Sequence, residues 1–329
     1  MVSIRYYNQT FACDEGQTVL DVLLENSQDI PHSCKMGVCV TCIMHLVDGD
    51  VPAEAQAGLR DSLVSKGRFL PCVCLPEADI EIADIDQQDL FSPATVRNIE
   101  HLSADLCRIF LEPTTPLYYH AGQFMNLRRE DGLVRSYALA SVPSLDDCLE
   151  FHIKRLENGE MSNWLVDELR PGDRLGIQGP IGECFYQPGC EDQNILLIGN
   201  GAGLAPILGI ARDALSSGHR GTIRLYHGSQ TAARLYLGDT LRKLEAEHDN
   251  FHYIPCLSGD GEAEGCRPGR ADEVAFSDLE NLADWRVFLC GHPPMVNSAR
   301  DRAQSIGAAI EDIHTDPYEL KDLRKKPRS

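Results

Sequence analysis

The chain changes its hydrophobic rhythm twice, and the changes divide its 329 residues into three segments. In the first, Val2-Ser3-Ile4-Arg5-Tyr6 alternates apolar and polar positions, which predicts a strand entering a hairpin. Thr18 then stands as an N-cap before Val19, Leu20, Val22, Leu23 and Leu24, predicting a helix. Ile80-Glu81-Ile82 alternates again as a closing strand, and the acidic stretch Asp84–Asp89 reads as a linker. The second segment is rich in short strands punctuated by Pro and Gly: Val96–Ile99, Leu106–Leu111, Gln123–Leu127, Ser136–Leu139, Leu149–Ile153 and Arg174–Ile177. That spacing predicts an antiparallel barrel, with one helix from Met161 to Leu169 stopped by Pro171-Gly172. The third segment alternates apolar runs (Ile195–Ile198, Ile223–Tyr226, Phe251–Pro255, Val287–Cys290) with helical patterns at Pro206–Leu215 and Thr240–Glu247. This predicts an open α/β sheet with ligands at the strand carboxyl ends. The expected boundaries are residues 1–90, 91–189 and 190–329.

Composition narrows the picture. The odd count of 13 cysteines, without an apolar h-region after Met1, argues for a reducing compartment and against a secreted disulfide scaffold. No run approaches a membrane span, so a cytoplasmic protein is expected. The net charge of −20 disfavours nucleic acid and anionic membrane as partners. Residues 1–90 hold 15 Asp/Glu against 5 Lys/Arg, a net of −10 in about a quarter of the chain, which suits steering toward a basic patch on a partner. The closing Lys321–Ser329 holds five basic residues and one acid and reads as a frayed tail; docking onto the acidic first segment is the alternative.

The chemistry of the first segment lies in Cys34-x4-Cys39-x2-Cys42-x29-Cys72. Thiolates ligate iron–sulfur clusters, and C-x4-C-x2-C with a distant fourth Cys is the plant-type spacing. Gly37 lets backbone approach the inorganic sulfides and donate N–H bonds. A zinc site is the alternative, but it calls for a second short-spaced pair, and Cys72-Val73-Cys74 is too tight for one. In the third segment, Gly199-Asn200-Gly201-Ala202-Gly203-Leu204-Ala205-Pro206 follows a strand and opens a helix, as a pyrophosphate cradle does. Its spacing is not G-x-G-x-x-G, and a ligand-free strand–helix turn is the competing interpretation. Cys290-Gly291-His292-Pro293-Pro294-Met295 follows a later strand at what should be the same sheet edge.

These motifs carry a resemblance. The segment Phe69–Pro76 resembles plant-type ferredoxins, in which the ligand lies four residues before a proline; that implies Cys72 as fourth ligand, with Cys74 a free thiol. The resemblance covers about residues 1–90, and Val40 departs from its usual Gly or Ser, with loop packing expected to feel the change. The G-x-G-x-G-L-A-P and C-G-x-P-x-M signatures resemble the ferredoxin–NADP reductase superfamily. By that resemblance Gly199, Gly201, Gly203 and Pro206 hold the dinucleotide pyrophosphate, and Cys290, with Gly291 and Pro293, lies near the hydride-carrying nicotinamide carbon. Arg135-Ser136-Tyr137-Ala138 resembles the flavin motif R-x-Y-[ST]. Arg135 would fork onto the flavin pyrophosphate and Tyr137 would stack on the ring, while Ala138 removes a hydroxyl expected near the flavin N5. His152 and Lys154 match the strand beside the flavin, Gly159, Met161 and Ser162 a helix start on its pyrophosphate, and Tyr318 a closing aromatic.

The order cluster, flavin, nicotinamide resembles the reductase components of bacterial multicomponent, aromatic-ring oxygenases. The resemblance implies NAD(P)H, FAD and a 2Fe-2S cluster as cofactors. Hydride would pass to the flavin and single electrons through the cluster to an oxygenase component or a ferredoxin. The loop Tyr226–Arg234, containing Gly228 and Ser229, holds no tight basic cluster, which favours NADH with some use of NADPH. A monomer is expected. The alternatives are the same path serving a diiron hydroxylase or a sugar-deoxygenation enzyme, and a redox sensor that does not turn over.

Overall fold

The computed structural model describes residues 2–32, 34–85, 90–259 and 263–318. Part of the expected linker (86–89) and the basic tail lie outside the described residues. The chain gathers into two compact units: residues 1–93 with 126–136 and 175–181, and residues 94–125, 137–174 and 182–329.

In the first unit, β1 (Val2–Tyr6), β2 (Gln9–Cys13), β3 (Met44–Asp48), β4 (Arg68–Phe69) and β5 (Ile80–Ala83) form a mixed sheet in the order β2-β1-β5-β3-β4. Helix α1 (Val19–Glu25) begins where Thr18 predicted: its hydroxyl accepts the Asp21 N–H at 3.1 Å, a cap worth about 1 kcal/mol. Its apolar stripe, Val19, Leu20 and Leu23, is fully buried with Ile4, Phe69, Leu70 and Ile82. A short helix α2 (Asp61–Val64) precedes β4.

The middle of the chain supplies β6 (Ser92–Ser103), β7 (Leu106–Pro113), β8 (Phe124–Arg128), β9 (Val134–Ala138), β10 (Leu149–Lys154) and β11 (Arg174–Ile181). Strands β10, β7 and β6 pair antiparallel in that order, and β11, β8 and β9 follow one another in a second run. β6 far exceeds the expected Val96–Ile99, because irregularities at Val96/Asn98 and His101/Ser103 break the alternation that marks a strand in sequence. The helix expected over Met161–Leu169 is a single turn, α3 (Glu160–Asn163), followed by a π-helical turn over Trp164–Glu168. The Leu169 N–H bonds to Trp164 O at 3.1 Å, and this wider turn buries Leu165, Val166 and Leu169 together.

The last segment is a parallel sheet in the order β15-β14-β13-β12-β16-β17, from β12 (Asn194–Asn200), β13 (Ile223–Ser229), β14 (Phe251–Leu257), β15 (Arg267–Pro268), β16 (Trp285–Gly291) and β17 (Ile313–Pro317). Its helices are α4 (Leu204–Ser216), α5 (Gly238–Glu247), α6 (Ala271–Asp278) and α7 (Pro293–Ser305). The continuous apolar run of β12 now has a cause. Ile195 and Leu197 pack with α4 and α5, while Leu196 and Ile198 pack with α6 and α7, so every residue faces a covered layer.

Candidate functional site

The cysteine loop folds its thiols into two pairs. Cys34 Sγ accepts the N–H groups of Met36 and Cys39, each at 3.3 Å, and Cys39 Sγ accepts the Cys34 N–H at 3.5 Å and the Thr41 hydroxyl at 3.2 Å. The hydrogen bond from Cys39, reinforced by those backbone N–H groups, pulls the Cys34 thiol down to about 5 against its burial; Cys39 rises correspondingly. Cys42 and Cys72 form the second pair: the bond from Cys42, then the Gly37 N–H, lowers Cys72, and Cys42 is pushed up. Gly37 suits that approach because it has no side chain. Its φ is +78°, and a Cβ there would stand 3.1 Å from Val73. Cys74 goes elsewhere. It is fully buried in the core, and its thiol is pushed up to about 12 by that burial and then by Cys13. Among the described residues no three His, Cys, Asp or Glu converge as a single-ion site needs. Pairwise thiols suit a two-iron cluster, in which each iron takes two of four cysteines, better than one tetrahedral zinc.

Val40 stands in the left-handed region with φ +59°, costly for a β-branched residue. A glycine adopts that conformation freely.

In the second unit the two nucleotide motifs meet at one sheet edge. Register places Gly199 opposite Cys290, Asn200 opposite Gly228, and Cys290 opposite Asp316. The loop passes so close to β16 that a Cβ on Gly203 would lie 2.5 Å from the Cys290 carbonyl. Asn200 Oδ1 accepts the His292 N–H at 3.2 Å and ties the two motifs together. Tyr318 closes the edge: its N–H donates to Gly291 O at 2.7 Å and its hydroxyl to Ala202 O at 3.0 Å. Pro206 is buried in the first turn of α4, and Pro293 opens α7. Cys290 is fully buried, 3.8 Å from Cys184 Sγ; burial, then Cys184, pushes its thiol well up. Burial also raises the Asp316 carboxyl to about 6. The Ser229 hydroxyl donates to Thr231 O at 3.0 Å, and Arg234 pairs with Asp105 at 3.4 Å.

The flavin-motif residues Arg135, Ser136, Tyr137 and Ala138 lie in one strand, β9, with Ala138 buried. Arg135 donates to Val134 O, and Ser136 donates to Asn126 Oδ1 at 2.7 Å. In the second unit Gly159 caps α3, Met161 is buried beside it, and Ser162 Oγ accepts the Leu156 N–H at 3.2 Å. Beside them Asn163 Oδ1 is buried without a hydrogen-bond partner, an acceptor fitted to a hydroxyl or N–H of a bound group. Lys154 Nζ lies 3.9 Å from the Cβ position of Gly201. His152 lies on β10 with both its ring nitrogens taken, one by Tyr236 OH at 3.0 Å and the other by Glu150 at 2.7 Å. Arg108 completes this chain at 2.8 Å from Glu150, and Tyr236 donates on to Gly201 O at 3.3 Å. Burial alone would raise Glu150, but the bonds from His152 and Arg108 hold it at about 2. Sequence reasoning missed Tyr236 and Asn126, which stand in no motif. It also missed Asp316, two residues before Tyr318.

The profile of the 2Fe-2S iron-sulfur cluster binding domain matches residues 3–77, the oxidoreductase FAD-binding domain residues 93–186, and the oxidoreductase NAD-binding domain residues 197–301. The chain is 31% identical over 332 residues to the phenol hydroxylase P5 protein of Acinetobacter pittii, covering 96% of this chain and 94% of that one. It is 30% identical over 318 residues to the ferredoxin–NAD(P)(+) reductase component of the naphthalene 1,2-dioxygenase system of Pseudomonas putida, covering 94% and 96%. The crystal structure of the Amycolatopsis cytochrome P450 reductase GcoB matches with a TM-score of 0.68 at 29% identity, covering 96% and 98%. Among the described residues no helix is long and apolar enough to cross a membrane. Whole-length similarity and three matching domains in one order lead to one conclusion. The chain belongs to the family of iron–sulfur flavoprotein reductases that join a 2Fe-2S domain to FAD- and NAD-binding oxidoreductase domains.

Proposed function

We propose that this reductase draws electrons from NADH and delivers them, through FAD and a 2Fe-2S cluster, to the oxygenase component of an aromatic-ring dioxygenase system. FAD, when bound, supplies the exchange between a two-electron and a one-electron carrier. The observation that carries the reading is the paired thiol set in a chain whose nucleotide motifs share one sheet edge. Cys34 with Cys39, and Cys42 with Cys72, hold the two irons. Arg135 and Ser162 hold the flavin pyrophosphate, Tyr137 packs on the ring, and Tyr318 covers the site from the closing strand. The backbone of Gly199, Gly201 and Gly203 holds the dinucleotide, Cys290 packs against the nicotinamide, and Gly228 and Ser229 flank the adenosine ribose. Arg234, at the end of the Tyr226–Arg234 loop, is paired with Asp105, which favours the free ribose hydroxyl of NADH. The domains divide as residues 1–90, 91–189 and 190–329, and the acidic first domain steers a basic partner.

Replacing Cys72 with Ser should abolish reduction of a one-electron protein acceptor while NADH-driven dye reduction by the flavin persists. Cys74→Ser should retain both. Loss of acceptor reduction in Cys74→Ser with survival in Cys72→Ser would reverse the ligand assignment. Equal loss of dye and acceptor reduction in Cys72→Ser would overturn the order of transfer.

A further inference from the structure

One polar side chain in the first unit is used by nothing in the preceding account. Asn126, on β8, is completely buried, where an amide is stable only if its hydrogen bonds are made. Its Nδ2 donates to the carbonyl of Cys39 at 2.7 Å and to Gln178 Oε1 at 2.7 Å, and its Oδ1 accepts from the Ser136 hydroxyl at 2.7 Å. All three donor–acceptor demands of the amide are met by residues far apart in the chain: the cysteine loop, β11 and β9. Ser136 is the residue between Arg135 and Tyr137 in the flavin motif, and Cys39 is one of the paired thiols. A single buried amide therefore fixes the main chain of the cysteine loop to the flavin-motif strand.

We infer that Asn126 is a positioning residue for electron transfer between flavin and cluster, holding the Cys39 side of the cluster loop in register with the strand that carries Arg135. The inference rests on the flavin and cluster assignments proposed above. The physical basis is rigidity. A loop anchored at one carbonyl by a bond made in a water-free interior cannot drift, whereas a solvent-exposed bond would exchange with water. Asn126 bonds to no thiol sulfur and to neither motif of the nicotinamide edge, so its loss should change the placement of the cluster and leave the chemistry at that edge as it is. Leucine keeps the branched shape of asparagine, though it is bulkier, and strands the Cys39 carbonyl, Gln178 and Ser136 without partners, while alanine strands them without adding bulk.

The test uses full-length protein loaded with FAD and cluster, wild type against Asn126→Leu and the milder Asn126→Ala. Anaerobic rapid mixing with NADH separates flavin bleaching from the following reduction of the cluster, and hydrogen exchange reads the amides of residues 34–42. Flavin reduction by NADH should stay within about twofold, cluster reduction should slow about tenfold or more, and the loop amides should exchange faster. The midpoint potential of the cluster should move far less than the rate, because Asn126 bonds to no thiol sulfur and to no N–H that donates to one. Cluster reduction at the wild-type rate in both variants overturns the inference. So does an equal slowing of both steps, which would mark a general structural role. So does failure of both variants to hold a cluster, which would assign Asn126 to loop folding. A wild-type protein whose flavin is not bleached by NADH overturns the flavin assignment and this inference with it, and is told apart by the wild type alone.

Discussion

The cluster loop and the nucleotide edge solve the problem of holding a cofactor in opposite ways. In the loop the chemistry is carried by side chains: four thiols, grouped two and two, with backbone N–H groups and Thr41 aimed at the sulfurs. At the edge it is carried by main chain. Gly199, Gly203 and Gly291 owe their place to what a Cβ would strike, and the nearby polar side chains of His152, Tyr236 and Asn200 bond to protein atoms. A side-chain site fails when one group is removed. A main-chain site fails when something is added.

That contrast can be broken most sharply by addition. Gly203→Ala puts a methyl group against the Cys290 carbonyl, and backbone on both sides has little room to yield. Overpacking of this kind costs about 1–3 kcal/mol, so kcat/KM for NADH should fall roughly ten- to a hundredfold. Electrons supplied by dithionite should still reach an acceptor protein. Steady-state kinetics with NADH and with dithionite check it; wild-type NADH kinetics would mean the loop is not held against β16.

Acid should distinguish the units next. His227 is fully buried, its Nε2 has no partner, and burial lowers it to about 3; burial also lowers His152, against the pull of Glu150. A histidine lowered in the folded state contributes its full stability above its unfolded value near 6.5 and loses it as pH falls toward the folded value. His227 alone therefore removes about 2 kcal/mol of stability from the second unit by pH 5. Glu150, held at about 2, adds a loss of the same sign below about 4.5. Both tryptophans, Trp164 and Trp285, lie in the second unit, so denaturant unfolding followed by their fluorescence at pH 7.5 and pH 5 reads this directly. His227→Leu should flatten the difference, and an equally steep loss in that variant would remove His227 as its source.

The smallest expected effect sharpens the side-chain half of the comparison. Val40→Gly relieves a left-handed conformation worth about 1–2 kcal/mol and gives up part of a half-buried valine. The two nearly cancel, so the melting temperature should move by no more than a few degrees, and the cluster spectrum should not change. A large loss of stability would show that Val40 packing, and not loop conformation, holds the thiols in place.

Much of the fold was legible because its signals are local. Thr18 caps α1 through its own third neighbour, and a continuous apolar run followed by glycine marks β12 wherever it occurs. The ends of β6 were not legible, since bulges erase alternation, and the π-turn after Asn163 leaves an ordinary helical pattern in sequence. The same division holds for the site. The spacing of the first three cysteines and the order of the glycine and cysteine-glycine motifs named the residues, because a loop or a strand–helix turn is built from neighbours. Whether Cys72 or Cys74 would join Cys42 was a matter of resemblance in sequence. In the structure packing separates them, with Cys72 beside Cys42 and Cys74 beside Cys13 in the core.

The sequence by itself determined the thiol loop, the strand–glycine–helix turn and the three-part order of the chain, all set by backbone sterics and short-range periodicity. Only the tertiary structure decided that Gly199 lies opposite Cys290, that His152 turns to Glu150 and Tyr236, and that Asn126 reaches Cys39 across 87 positions of chain. The reason is that a buried polar atom must find a partner, and which partner it finds depends on segments that sequence distance does not bring together.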